Sequence, residues 1–194
     1  MKTRLRFLFP RGLILFVALL AGGCAATKST VFINPEFSFG GVERVAIVPF
    51  ENLSSDQGVG DYVTRVFLTD LLATKAFDIV EPGEVSHYLA AKGITKTGEA
   101  TVAQIKDMGQ TLNVQALIFG SIGESTQYRS GTQASHILSL SVRMVSVETG
   151  STVWSTAVNT KAPGFFARML GVGDRTRSDA VRVTVKKAID SLVK

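Results

Sequence analysis

The chain contains one cysteine, Cys24, standing two glycines behind a nine-residue apolar run, Leu13–Ala21. A lone thiol cannot close an intramolecular disulfide, so the fold must be held by noncovalent packing. A membrane-spanning helix needs about 20 apolar residues to cross roughly 30 Å of hydrocarbon. The run is less than half that length. Lys2, Arg4, Arg6 and Arg11 precede it with no acid among them, and Gly22 and Gly23 follow it. Basic, then apolar, then small is the order of a secretory signal, which is removed, rather than of a permanent anchor.

The stretch Leu20-Ala21-Gly22-Gly23-Cys24 resembles a bacterial lipobox. That resemblance implies cleavage after Gly23, a diacylglyceryl thioether on Cys24 and an acylated amine. Several acyl chains hold a protein to a bilayer where one anchors only marginally. Ala25 follows the cysteine where Asp would divert sorting, so the expected location is the periplasmic face of an outer membrane. Removing 23 of 194 residues leaves 171, enough for one domain. Four of the 21 basic residues leave with the signal, and the net charge falls from +5 to +1. A nucleic-acid partner, which needs a clustered basic face, is not expected.

Periodicity sets the organisation. Residues 1–23 read as the signal, 24–41 as a lipidated start and extended tether, and 42–194 as an α/β domain. Ala25–Thr30 is small and polar, and Val31–Gly41 reads as an arm packed on the domain. Val42–Phe50 is apolar and β-branched, as in a strand buried on both faces. Val59, Tyr62, Val63, Val66 and Phe67 form one helical stripe within Gly58–Lys75. A short strand at Phe77–Val80 completes a parallel βαβ unit. Helices follow at Glu84–Ala91 and Ala100–Leu112, with Asn113 as a left-handed C-cap. Val114–Ile122, His136–Val147 and Thr152–Thr160 read as an antiparallel meander. The last helix carries Val181, Val185, Ala188, Ile189 and Leu192 on one face. The expected fold is a single α/β domain with a mixed sheet of about five strands.

Arg44–Asp56 (RVAIVPFENLSSD), Phe77–Val85 (FDIVEPGEV), Leu112–Ile122 (LNVQALIFGSI) and Val142–Trp154 (VRMVSVETGSTVW) together resemble the curli assembly and transport (CsgG-like) family. Activators of penicillin-binding proteins are related lipoproteins, and the N-terminal domain of TolB has a similar fold. The resemblance implies a non-enzymatic accessory in assembly or export of a cell-surface or envelope polymer. It implies an envelope protein partner and leaves a homo-oligomer open. Two alternatives are an activator docked on a cell-wall synthase and a secretion-channel subunit. The first is opposed by the short tether. The second is opposed by the gaps at Ile122–Leu138 and Thr160–Arg175. The first gap lacks an apolar band, and the second is too short for two barrel strands of about 9–11 residues.

No nucleophile elbow, Walker A loop or His-Glu-x-x-His is present. No cofactor is expected beyond the lipid on Cys24, and no metal. Of the two histidines, His87 stands alone and His136 could at most pair with Glu124. Gly58-Val59-Gly60-Asp61 and Gly171-Val172-Gly173-Asp174 read as turns before helices rather than anion sites. Arg175, Arg177, Arg182, Lys186 and Lys187 read as a solvated helix face. The apolar cluster Phe165, Phe166, Met169 and Leu170 sits in a loop and is the candidate partner-binding surface.

Overall fold

A computed structural model describes residues 29–130, 133–160 and 175–193. Among them are seven strands: β1 (Ser29–Ile33), β2 (Arg44–Ile47), β3 (Glu51–Asn52), β4 (Asp78–Ile79), β5 (Ala116–Ser130), β6 (Gln133–Ser146) and β7 (Thr152–Asn159). Four helices accompany them: α1 (Val59–Thr74), α2 (Pro82–Ala91), α3 (Val102–Thr111) and α4 (Arg177–Leu192). The strands form one mixed open sheet of order β1-β7-β6-β5-β2-β4, with β3 pairing β5. β2 runs parallel to β4 and β5, while β5, β6, β7 and β1 pair antiparallel in succession.

Strand β2 is buried on both faces, as its β-branched composition requires. Val45 and Ile47 enter one core with α1 and α4, while Ala46 and Val48 enter a second with α2 and α3. In α1, Val59, Val63, Phe67 and Leu71 recur every four residues and are fully buried. Gly58 caps the N-terminus at φ +73°, a region open to glycine, and Asp61 favours the positive first turn. Asn113 follows α3 at φ +51°, as read from the sequence. Helices α3 and α4 start in capping boxes, Thr101 with Gln104 and Thr176 with Asp179. A side chain at Gly120 would lie 2.6 Å from the Phe50 ring, so the sheet and its incoming chain meet only over glycine.

The sheet has seven strands rather than about five, for two physical reasons. Pro49 lacks an N–H and breaks the first strand. Pairing to β5 resumes at Glu51 and Asn52, opposite Ser121 and Ile122. Strand β1 lies in the stretch read as tether and arm. Its five residues are all exposed, so no buried face marks it in the sequence. The β5–β6 ladder also runs on past the strand ends expected at Ile122 and His136. After a bulge between Ile122 and Glu124 it continues to Ser130 and Gln133. Apolar periodicity ends at the bulge because on β5 only Ser125 is buried between Gly123 and Arg129, but backbone pairing does not need it.

Candidate functional site

Four features converge on one end of the sheet. Ser29, Val158, Leu140 and Ile122 lie side by side across β1, β7, β6 and β5. At this row β1 starts, five residues after Cys24. Beyond it β5 and β6 run on as a two-stranded arm, Glu124–Ser130 against Gln133–Ser139, flanked at its root by Asn159, Thr160 and Arg175. The segment between β7 and α4 is rooted here too. Thr160 is 2% exposed; its N–H donates to the Leu138 carbonyl at 2.9 Å and its Oγ1 accepts from the Leu138 N–H at 2.6 Å. The segment returns at Arg175, whose carbonyl accepts from the His136 N–H at 2.9 Å. The feet of residues 161–174 therefore stand two positions apart on β6. Cys24, Phe165, Phe166, Met169 and Leu170 themselves lie outside the described residues, as does the Gly171–Asp174 turn.

A polar cluster locks the root of the arm. Ser125, 4% exposed, donates its Oγ–H to Asp56 Oδ2 at 2.6 Å and meets His136 Nε2 at 2.9 Å. Arg177 Nε stands 3.1 Å from the same Asp56 oxygen, and its guanidinium lies over the Tyr62 ring at 5.7 Å. His136 therefore does not meet Glu124. Glu124 is exposed opposite Ser139, and His136 turns to Ser125 and Asp56. The arm pairing at the bulge decides this, because it shifts odd-numbered β5 residues onto the His136 face. Arg177 likewise leaves the solvated face to pair with Asp56. Lys186 stays on that face and pairs along the helix with Asp190 at 2.9 Å.

A serine, a histidine and an aspartate in contact invite comparison with a hydrolase triad, but the wiring differs. In a triad the histidine takes the serine proton and the aspartate holds the other ring nitrogen. Here the serine proton goes to the aspartate. The serine oxygen can then only accept, and Nε2 must carry the hydrogen that it donates. The group is a cross-link between the loop after β3, the arm and α4.

Burial pushes the His136 ring below its ordinary 6.5, with Asp56 opposing and Arg177 adding to the shift. A lowered folded-state value means that the unfolded chain binds the proton first. The contribution of neutral His136 is intact above pH 6.5 and is lost as pH falls below it toward the folded value. Wild-type melting should therefore fall below that pH more steeply than that of His136→Gln. Identical pH profiles would show that the ring is not held neutral in the fold.

On the opposite face, α2 and α3 cover β2 and β5 but reach β6 only at Val145. The uncovered part forms an open trough of about 610 Å³. One row across its floor is Thr30, Ala157, Ser141, Ser121 and Glu51; the next is Phe32, Ser155, Arg143 and Phe119. Arg143 lies over Phe119 and donates to the Gly98 carbonyl at 3.2 Å. Glu51 accepts from the Gly98 N–H at 2.7 Å, so both charges are spent on holding the 97–99 turn at the rim. Among the described residues no group of three or more His, Cys, Asp and Glu is placed to hold a metal, and no helix is long and apolar enough to cross a membrane. The arm, its locked root and the trough escaped sequence reasoning; only the alternation of Ser125, Gln127 and Arg129 with Thr126 and Tyr128 hinted at a strand.

No protein-family model and no curated protein matches the sequence. Solved structures do match in fold. A dodecamer of a PelC point variant from Paraburkholderia phytofirmans superposes with a TM-score of 0.60 at 15% identity, covering 86% of this chain and 98% of that one. A second PelC dodecamer from the same organism gives 0.59 at 15% identity, over 86% and 96%. Lipoprotein GNA1162 from Neisseria meningitidis gives 0.52 at 15% identity, over 66% and 92%. At such identity the likeness is one of fold.

Proposed function

We propose that the protein is a lipid-anchored lipoprotein on the periplasmic face of an outer membrane. In this reading it is a non-enzymatic accessory in assembly or export of a cell-surface or envelope polymer, working by contact with copies of itself or with an envelope protein. The observation that carries the reading is the convergence at one end of the sheet. The start of β1, five residues from Cys24, the arm and both feet of the apolar segment 161–174 all stand there. Any partner recruited by that segment is held at the membrane surface. The sequence resemblance supplies the polymer-assembly class. The dodecameric state of the PelC structures and the lipoprotein nature of GNA1162, on the same fold, support an anchored homo-oligomer.

The activator alternative needs a long reach. Cys24 to Ser29 spans at most about 18 Å fully extended. The channel alternative needs strands of about 9–11 residues with a lipid-facing apolar row. The arm supplies seven per strand, with Glu124, Gln127 and Arg129 among them. Planar-bilayer recording of the lipidated protein should accordingly show no unitary conductance; stable channels would restore the secretion-pore reading.

The test of the proposal is in-cell crosslinking combined with native mass of the lipidated protein in mild detergent. A defined oligomer or a discrete crosslinked partner is expected. The double variant Phe165→Ser, Phe166→Ser should lose it while keeping wild-type melting. A monomer without partners would sink the proposal. A large drop in melting would show that the two phenylalanines belong to the core.

A further inference from the structure

The tether is shorter than the arm that rises from the same end of the sheet. This constrains how an anchored domain can sit on its membrane, and it rests on the anchoring reading above. Seven arm residues at about 3.4 Å each extend roughly 24 Å beyond the row that contains Ser29. The five steps from Cys24 to Ser29 reach at most about 18 Å. With strands upright and the arm pointing down, the tether would drag the arm tip through the headgroups toward hydrocarbon. The arm is ill suited to that. Glu124, Gln127 and Arg129 are exposed along it, and a two-stranded ribbon leaves backbone N–H and C=O groups on its edges that lipid cannot satisfy.

The sheet offers another surface at the anchored corner. β1 is an edge strand, and Val31, Phe32 and Ile33 are 41%, 48% and 53% exposed. Cross-strand pairing sets Val31 and Ile33 on the face of Thr156 and Trp154, and Phe32 on the face of Ser155. Apolar side chains thus flank the edge on both faces. No charge occurs from Ser29 to Pro35, and a long exposed edge usually carries one to block pairing. A surface that meets the strand edge-on covers all three side chains at once. The backbone groups of the edge stay in the hydrated headgroup layer. Because the lipid holds this edge within reach, the contact is effectively intramolecular, and modest partitioning suffices to populate it.

We infer that the anchored domain lies on its β1 edge, with Val31, Phe32 and Ile33 in the headgroup layer of the bilayer and the β5–β6 arm running along the membrane rather than into it. The occupant of the edge is a lipid surface.

The experiment places a tryptophan reporter at Phe32→Trp or at Tyr128→Trp near the arm tip. Both sites are exposed, so neither change disturbs the core, and native Trp154, 1% exposed, provides the baseline. The acylated protein is reconstituted in phosphatidylethanolamine–phosphatidylglycerol vesicles containing bromolipid. Emission from position 32 should shift to the blue and be quenched by lipids brominated near the headgroup. Emission from position 128 should be quenched by aqueous acrylamide instead. Bromolipid quenching at 128 but not at 32 would overturn the inference in favour of an upright domain with an inserted arm. Acrylamide quenching at both would mean that the domain stands clear of the membrane. Shielding of position 32 from both quenchers would assign the edge to a second copy of the chain. Lack of acyl labelling in wild type would remove the anchor, and the inference with it. Normal labelling with any of the other adverse patterns would remove the inference alone.

Discussion

Cys24→Ser is expected to abolish palmitate labelling and to move the protein from the membrane to the soluble fraction after a salt wash. The effect is all or nothing in practice. Each buried methylene of an acyl chain contributes about 0.8 kcal/mol, and a single chain already gives marginal attachment. The modified cysteine would carry more than one. The β1 edge offers only three half-exposed side chains and cannot replace them. Cys24 is also the only cysteine, so the substitution removes no disulfide and leaves the folded domain otherwise unchanged. If the variant still labels and still sediments with membranes, the anchor assignment fails.

The largest stability effect is expected from Trp154→Ala. Trp154 is 1% exposed and lies between β7 and α4, where its Nε1–H donates to the Ser191 carbonyl at 3.2 Å. It shares a core with Leu140, Val142, Met144, Val185 and Ile189. Truncation of a buried aromatic costs about 3–5 kcal/mol. Against a total stability of roughly 5–15 kcal/mol, that is a large share. For a domain of this size the melting temperature should fall by on the order of 10 °C. Leu72→Ala on the exposed side of α1, where Leu72 is 50% exposed, should change stability by about 0.5 kcal/mol or less. Equal effects of the two substitutions would mean that α4 does not pack on β7 as described.

Much of this architecture is legible in the sequence because burial writes a period into it. The α1 stripe, the doubly buried β2, the alternation Leu138, Leu140, Val142, Met144 and the apolar face of α4 all follow from which residues must leave water. Local backbone chemistry was readable in the same way: Asn113 as a left-handed cap, and Glu148–Ser151 as the turn whose Gly150 sits at φ +72°. The reading of residues 1–23 as a signal needs no fold at all, since its order of charge, apolar length and small residues is one-dimensional.

Tertiary structure decided what lacks such a period. β1 and β3 are strands because β7 and β5 offer them backbone partners, not because their own residues demand it. On β5 the arm continues past Ile122 with no apolar side chain buried, held by backbone pairing and by the Ser125 contacts to Asp56 and His136. The Asp56–Ser125–His136–Arg177 cluster joins residues up to 121 positions apart, from Asp56 to Arg177, and a one-residue bulge selects which β5 side chain meets His136. The convergence of the start of β1, the arm and the feet of segment 161–174 depends on strand register, which the sequence leaves free until the sheet forms. Hydrophobic burial determined the layers of this protein from sequence alone; hydrogen-bonded register, invisible in composition, determined what meets at the end of the sheet where β1 starts.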